Sequence, residues 1–265
     1  MAGVYTSRLI AKIPRVADIV SFRFERPKGY RFKAGQWFVI TFPGPSPAEP
    51  WEHHFSHSDS PADPWMEFTT RMRGSDFKNA LDGLPLDSEV QLEGPYGAFV
   101  MPADVERAAF LAGGIGVTCV RSILRWAAAV RAESAAEVAA GAVAQAPGRG
   151  AGTGAPLRAA LALREIVLFF ANHSEDAIPF KAELEKLAHS LPGLRVVHVL
   201  SRPGENWQGY RGHLDKYVLS RELAEPGTWR YFVSGPPAFD QGMQEMLLGW
   251  GIEAERLNLE RFEGY

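Results

Sequence analysis

Three histidines, His53, His54 and His57, crowd the stretch EHHFSHSDSP, with Glu52 and Asp59 close by. Imidazoles and carboxylates are the usual ligands of a divalent metal, so their spacing decides whether one site can hold them. Prolines at 50 and 61, and the aversion of the residue before a proline to helical backbone, argue for an extended chain. In a strand, His53 and His57 share a face but stand roughly 13 Å apart, while His54 points to the other side. A zinc ion with bonds of about 2.0–2.1 Å does not bridge that gap. Metal binding is therefore disfavoured, which leaves a polar strand edge or a set of side chains that orient a ligand.

Two glycine turns carry the other chemical signal. AGGIGVT, at 112–118, follows an apolar run and opens a helical pattern, and VSGPPAF, at 233–239, does the same near the C-terminus. Positions without side chains let a phosphate approach the backbone, and a helix start offers unpaired N–H groups and a positive dipole end. Glycines at a strand–helix turn also permit close packing, so either turn alone is weak. Two of them meet at the carboxyl edge of one parallel sheet, where open α/β sheets bind ligands.

Composition narrows the classes. A chain of 265 residues is long enough for two domains, and a net charge of −3 provides no basic field for nucleic acid. The longest apolar-looking stretch, AAFLAGGIGVTCV at 108–120, holds three glycines and is closed by Arg121, too short to span a membrane. The first residues contain no apolar core of signal-peptide length, and a single cysteine excludes a disulfide framework, which together point to the cytoplasm. The same cysteine count excludes an internal four-cysteine iron–sulfur cluster, and no C-x-x-C-H is present for haem attachment. Redox chemistry in this chain needs a dissociable or organic cofactor.

The elements that must position these residues follow two patterns. Up to about Met101, short strands are read in RLIAKIPRV, IVSFRFERP, WFVITFP, WMEFTTRMR and EVQLEGPYGAFV, separated by Gly/Pro turns. That pattern predicts a small antiparallel barrel or sandwich, here residues 1–102. Residues 103–265 alternate strands (AAFLAGG, EIVLFFANH, RVVHVLSRP, WRYFVSGPP) with helices expected near 117–131, 180–190 and 239–250, which predicts a parallel sheet with helices on its faces. On the first helix Val120, Ile123, Leu124 and Ala127 share one face. The Ala- and Gly-rich insertion at about 132–156 has almost no large side chains and cannot pack a core. It is expected to extend that helix to about Ala146 and then form a flexible surface loop without chemistry.

Taken in order, AGQ, HHFS, R-x-x-G, GPYG, AGGIG-x-T, SR, SGPP and a terminal E-R-F resemble the ferredoxin–NADP reductase superfamily over nearly the whole chain outside the insertion. The resemblance implies an N-terminal antiparallel Greek-key β-barrel that binds FAD, followed by a Rossmann-like α/β domain that binds NADP, with NAD possible. Most of the family writes its flavin motif Arg-x-Tyr-Ser. His53-His54-Phe55-Ser56 resembles instead the His-Pro-Phe-Ser/Thr of the ferric reductase and NADPH oxidase branch, with His54 in place of proline. On that resemblance Phe55 packs at the flavin, Ser56 bonds near its N5, and His53 contacts the ribityl or phosphate portion. Arg71 occupies the branch's arginine position, Gly74 closes the R-x-x-G motif, and Lys78 stands where serine or threonine is common. His54 and His57 are left as structural or solvent-facing.

The resemblance further implies that Gly113, Gly114, Gly116 and Thr118 face the nucleotide pyrophosphate. Cys119, a small buried residue, replaces a common proline. Ser201 and Arg202 end a strand where the family separates NADP from NAD, a guanidinium suiting the 2′-phosphate, with Arg211 a possible assistant. Ser234 replaces a cysteine beside the nicotinamide, ahead of Gly235 and Pro236. Glu260 and Phe262 match the family's terminal acid-x-aromatic pair, and Tyr265, beyond it, is a second candidate for the ring that covers the flavin. The expected activity is an FAD-dependent NAD(P)H oxidoreductase with Ser56, Ser234, Glu260 and Phe262 at its reaction centre. Its electrons go to a separate ferredoxin, flavodoxin, cytochrome or small molecule. A non-catalytic electron-transfer or regulatory subunit and a histidine-based metal-binding protein are the alternative classes.

Overall fold

The computed structural model describes residues 2–139 and 162–261. Two compact units emerge, one taking the residues up to Val100 together with Thr118–Ile123, the other Met101–Val117 and the described residues from Leu124 onward.

The first unit is a six-stranded antiparallel sheet of β1 (Gly3–Pro14), β2 (Ile19–Glu25), β3 (Trp37–Ser46), β4 (Glu49–Ser56), β5 (Trp65–Arg71) and β6 (Glu89–Tyr96), in spatial order β4-β3-β6-β1-β2-β5. Alternation sets its inside and outside: in β6 Val90 and Leu92 are buried between exposed Glu89, Gln91 and Glu93, and in β2 Phe22 and Phe24 flank the outward Arg23. The sheet curls around a core of Leu9, Phe22, Phe38, Ile40, Phe68 and Leu92. Helix α1 (Asp76–Gly83) lies between β5 and β6, where the strand-by-strand reading placed no element. Its signals are short: Ser75 caps it by accepting from the Lys78 amide, and Phe77 and Leu81, four residues apart, are its buried side chains. Two turns offer too few residues for periodicity to stand out.

The second unit is an all-parallel sheet of β7 (Arg107–Gly113), β8 (Glu165–Asn172), β9 (Leu194–Leu200), β10 (Tyr210–Arg211), β11 (Arg230–Gly235) and β12 (Leu257–Arg261), ordered β10-β9-β8-β7-β11-β12. Its central strands are apolar without alternation, as Ala108 to Ala112 in β7 and Ile166 to Phe170 in β8, because helices cover both faces of such sheets. Helices α3 (Lys181–Ser190), α4 (Lys216–Glu222) and α5 (Pro237–Gly249) connect the strands. Helix α2 (Val117–Ala139) buries Val120, Ile123, Leu124 and Ala127, the face read from the sequence, and runs past Arg131 into the alanine-rich segment. The loop expected beyond it, at 147–156, lies outside the described residues. Among the described residues no helix is long and apolar enough to cross a membrane.

Candidate functional site

In the first unit the motif HHFS forms the last four residues of β4. Phe55 turns inward and stacks on Phe68 at 4.0 Å between centroids, which makes it part of the core. The His53 ring stacks on Phe55 at 4.8 Å, and its Nδ1 lies 2.9 Å from the His54 carbonyl. His54, on the opposite face, is half-buried beside Trp37, with 5.6 Å between centroids. Ser56 ends the strand. Its hydroxyl is buried and has no hydrogen-bond partner among the described residues, so a polar atom there awaits a ligand or a water.

β4 stops at Ser56, and His57 follows on the inward face that Phe55 shares, its amide donating to the Gln36 carbonyl at 3.0 Å. It enters a loop, His57 to Ser60, whose polar side chains are all buried. The loop is satisfied internally. His57 Nδ1 bonds Asp59 at 2.8 Å, and the Ser58 hydroxyl donates to Glu67 at 3.1 Å. Glu67 also meets Arg15 at 3.3 Å, Arg23 at 2.8 Å and Arg121 at 2.9 Å. Burial opposes its ionisation, but the guanidiniums, Arg121 foremost, outweigh that and hold the carboxyl below its usual range. Sequence reasoning missed this cluster because its members come from positions 15, 23, 67 and 121, with no shared spacing.

At the end of β5, Arg71 pairs with Asp18 at 2.5 Å, and the Lys78 ammonium donates to the Arg71 carbonyl at 2.6 Å. Burial and then the charge of Arg73 hold the lysine below its usual range, with Arg71 adding to the effect and Asp18 opposing it. Arg71, Arg73 and Lys78 thus gather beside the start of α1, with Asp18 paired to Arg71. Gly74 lies in this turn at φ +72, with open space where a Cβ would stand. An anion fits such a place, since it relieves the crowding and meets free N–H groups. Arg73, inside the quoted TTRMRGSDF, is the member that sequence reasoning passed over.

In the second unit, the two glycine turns converge. Ser234 pairs with Ala112 on one side and with Glu260 on the other, so two candidate catalytic residues from distant positions become lateral neighbours. The Ser234 hydroxyl donates to the Gly116 carbonyl at 2.9 Å, and a Cβ on Gly116 would collide with the Ser234 carbonyl. Gly113 and Gly235 both lie against the Phe239 ring, so their bareness serves close packing. Gly114 differs. It adopts φ +52, and a methyl group added there would meet nothing within 4 Å, so its bare side faces open space at the turn that begins the helix. Thr118 follows one residue inside α2 and is buried, as is Cys119. Pro236 immediately precedes α5. Glu260 is 8% exposed, and burial raises its carboxyl to about 7.

Ser201 and Arg202 follow β9. The Arg202 amide donates to the His173 carbonyl at 2.7 Å, and the Ser201 hydroxyl lies 3.0 Å from His173 Nδ1. The Arg202 side chain is exposed. Arg211 instead donates to the carbonyls of Gly204, Glu205 and Trp207, bracing the loop after Arg202. Among the described residues no three His, Cys, Asp or Glu side chains group as a metal site. Phe262 and Tyr265 lie outside the described residues.

A family model for the oxidoreductase NAD-binding domain matches residues 110–245. The chain is 28% identical to the ferredoxin–NADP reductase B of Sorangium cellulosum, the match covering 99% of each. It is 27% identical to the glycine betaine monooxygenase reductase subunit of Pseudomonas aeruginosa, covering 98% of this chain but 64% of that one. In fold it is similar to a solved ferredoxin NADP+ reductase from Neisseria gonorrhoeae with bound FAD and NADP, at a TM-score of 0.75 and 16% identity over 97% of this chain and 98% of the other. With the family model spanning more than half its length, on the sheet that carries both glycine turns, the chain belongs to the oxidoreductase NAD-binding family within the ferredoxin–NADP reductase superfamily.

Proposed function

We propose that the chain is an FAD-dependent NAD(P)H oxidoreductase that prefers NADPH and passes electrons to a separate ferredoxin, flavodoxin, cytochrome or small molecule. The observation that carries this reading is the Ser56 hydroxyl, buried and without a hydrogen-bond partner among the described residues, at the end of the strand that bears the flavin-like motif. The residues fit the group: Ser56 offers its hydroxyl, the half-buried His53 a ring backed by the core residue Phe55, and Arg71, Lys78 and the Gly74 turn a cationic place for a pyrophosphate. FAD, when bound, supplies the acceptor for a hydride from the reduced nucleotide and releases the electrons singly or in pairs.

The nucleotide's share falls to the second unit. Gly114, at the bare turn before α2, receives the pyrophosphate on backbone N–H groups. Ser234 and Glu260, side by side on β11 and β12, make the nicotinamide end. Near neutral pH the Glu260 carboxyl is poised between holding and releasing its proton. Arg202, exposed after β9, offers its guanidinium to the 2′-phosphate, which supports NADPH over NADH. The named activities of the relatives from Sorangium and Neisseria agree with this reading.

A visible spectrum of the purified protein tests it, recorded before and after adding NADPH without oxygen. Flavin bands that bleach on addition are the expected result. Protein that takes up no flavin even after reconstitution refutes the reading.

A further inference from the structure

We propose that His57 is a positioning residue, which fixes the peptide joining it to Ser56 and so aims the serine hydroxyl; the proposal rests on the flavin reading above. His57 is fully buried, and its amide donates to the Gln36 carbonyl at 3.0 Å. Its ring lies almost parallel to Phe32, 3.6 Å away between centroids with 9° between planes, and 4.6 Å from Phe38. Both ring nitrogens are engaged, Nδ1 with Asp59 at 2.8 Å and Nε2 with the Tyr30 hydroxyl at 3.0 Å.

The direction of these bonds follows from the two partners together, Tyr30 and Asp59. Burial, and then the charge of Asp59, push the Tyr30 phenol far above the usual range, so it stays a hydroxyl able to donate, while the Asp59 carboxylate can only accept. The His57 ring then accepts at Nε2 and donates from Nδ1 to Asp59. Asp59 is held in turn by Arg26 at 3.5 Å, whose guanidinium also donates to the carbonyls of Ser60 at 3.2 Å and Pro61 at 2.8 Å. The imidazole cannot rotate without breaking two buried bonds, one to the Tyr30 phenol and one to the Asp59 carboxylate. Every anchor of the ring therefore anchors the backbone one bond away from Ser56.

An apolar side chain of similar size would fill the space between Phe32 and Phe38, so packing alone does not call for histidine here. What histidine adds is orientation. Hydride transfer is sensitive to placement, and a shift of about 1 Å caused by a change outside the reacting groups can cost on the order of a hundredfold in rate. The Ser56 hydroxyl, with no partner of its own among the described residues, depends on its backbone for its direction.

The test uses flavin-loaded protein and anaerobic stopped-flow reduction by NADPH in the wild type, His57→Leu, His57→Gln and Tyr30→Phe. The flavin spectrum and thermal midpoint are recorded for each. His57→Leu is expected to lower the limiting rate of flavin reduction by roughly tenfold to a hundredfold, with the NADPH dissociation constant changed by less than about twofold. The bound-flavin bands should shift, and His57→Gln, which restores a donor and an acceptor, should recover part of the rate. Tyr30→Phe keeps the histidine and removes one hydroxyl, so it should show a smaller loss in the same direction even if His57→Leu fails to fold. Flavin-loaded variants that lose thermal stability but reduce at the wild-type rate, with an unshifted spectrum, would overturn the positioning role. Wild-type protein that holds no flavin would instead overturn the underlying reading, a result distinct from the first.

Discussion

Replacing Glu260 by glutamine removes a titrating group while keeping its shape and its place in β12 opposite Ser234. The carboxyl is 8% exposed, and burial raises it from 4.5 to about 7. A raised value means that the folded protein binds this proton more tightly than the unfolded chain does. The carboxyl therefore leaves stability untouched below 4.5 and lowers it progressively as pH rises through about 7. At about 1.36 kcal/mol per pH unit, the interval from 4.5 to about 7 corresponds to roughly 3 kcal/mol once both states are ionised. Between about pH 5 and pH 8 the wild type should lose roughly 2–3 kcal/mol more than Glu260→Gln, which has nothing to titrate there. Hydrogen exchange at the β11 and β12 amides, measured at both pH values, reads the stability of this sheet directly. Nucleotide-driven turnover measured alongside should lose its inflection near neutral pH in the variant. Wild type and variant that change in parallel across this range would refute both the raised proton affinity and the proton-holding role.

Arg202→Ala should weaken NADPH binding roughly tenfold to a hundredfold, the usual value of a charge-assisted bond, and leave NADH nearly untouched. Equal losses for the two nucleotides, in steady-state kinetics, would remove the arginine from the 2′-phosphate site. His53→Ala should reduce flavin retention more than His54→Ala, because the His53 ring stacks on Phe55 while His54 faces Trp37 on the other side of the strand. Flavin content after gel filtration decides this, and equal retention would count against the assignment.

How much of this was legible in the sequence depends on the range over which each signal acts. Alternation in β2 and β6, the unbroken apolar runs of β7 and β8, and the strand–glycine–helix turns are local patterns, imposed by whichever face or faces a segment buries. They placed the antiparallel and parallel halves and the family motifs without any knowledge of contacts. Helix α1 escaped because two turns are too short for a period to show. Residues brought together from far apart carry no local pattern at all. Only the ladder between β11 and β12 sets Ser234 beside Glu260, and only the packing of the first unit gathers Arg15, Arg23 and, from the start of α2, Arg121 on Glu67. His57 shows the same limit at closer range. Strand alternation puts it on the inward face of His53 and Phe55, but nothing in its own segment names the partners that hold the ring, Phe32 and Tyr30 from before β3 and Asp59 from the loop after β4. A segment's sequence sets its periodicity, but the partners that bury and orient each side chain come from other segments, and they are chosen only when the whole sheet closes.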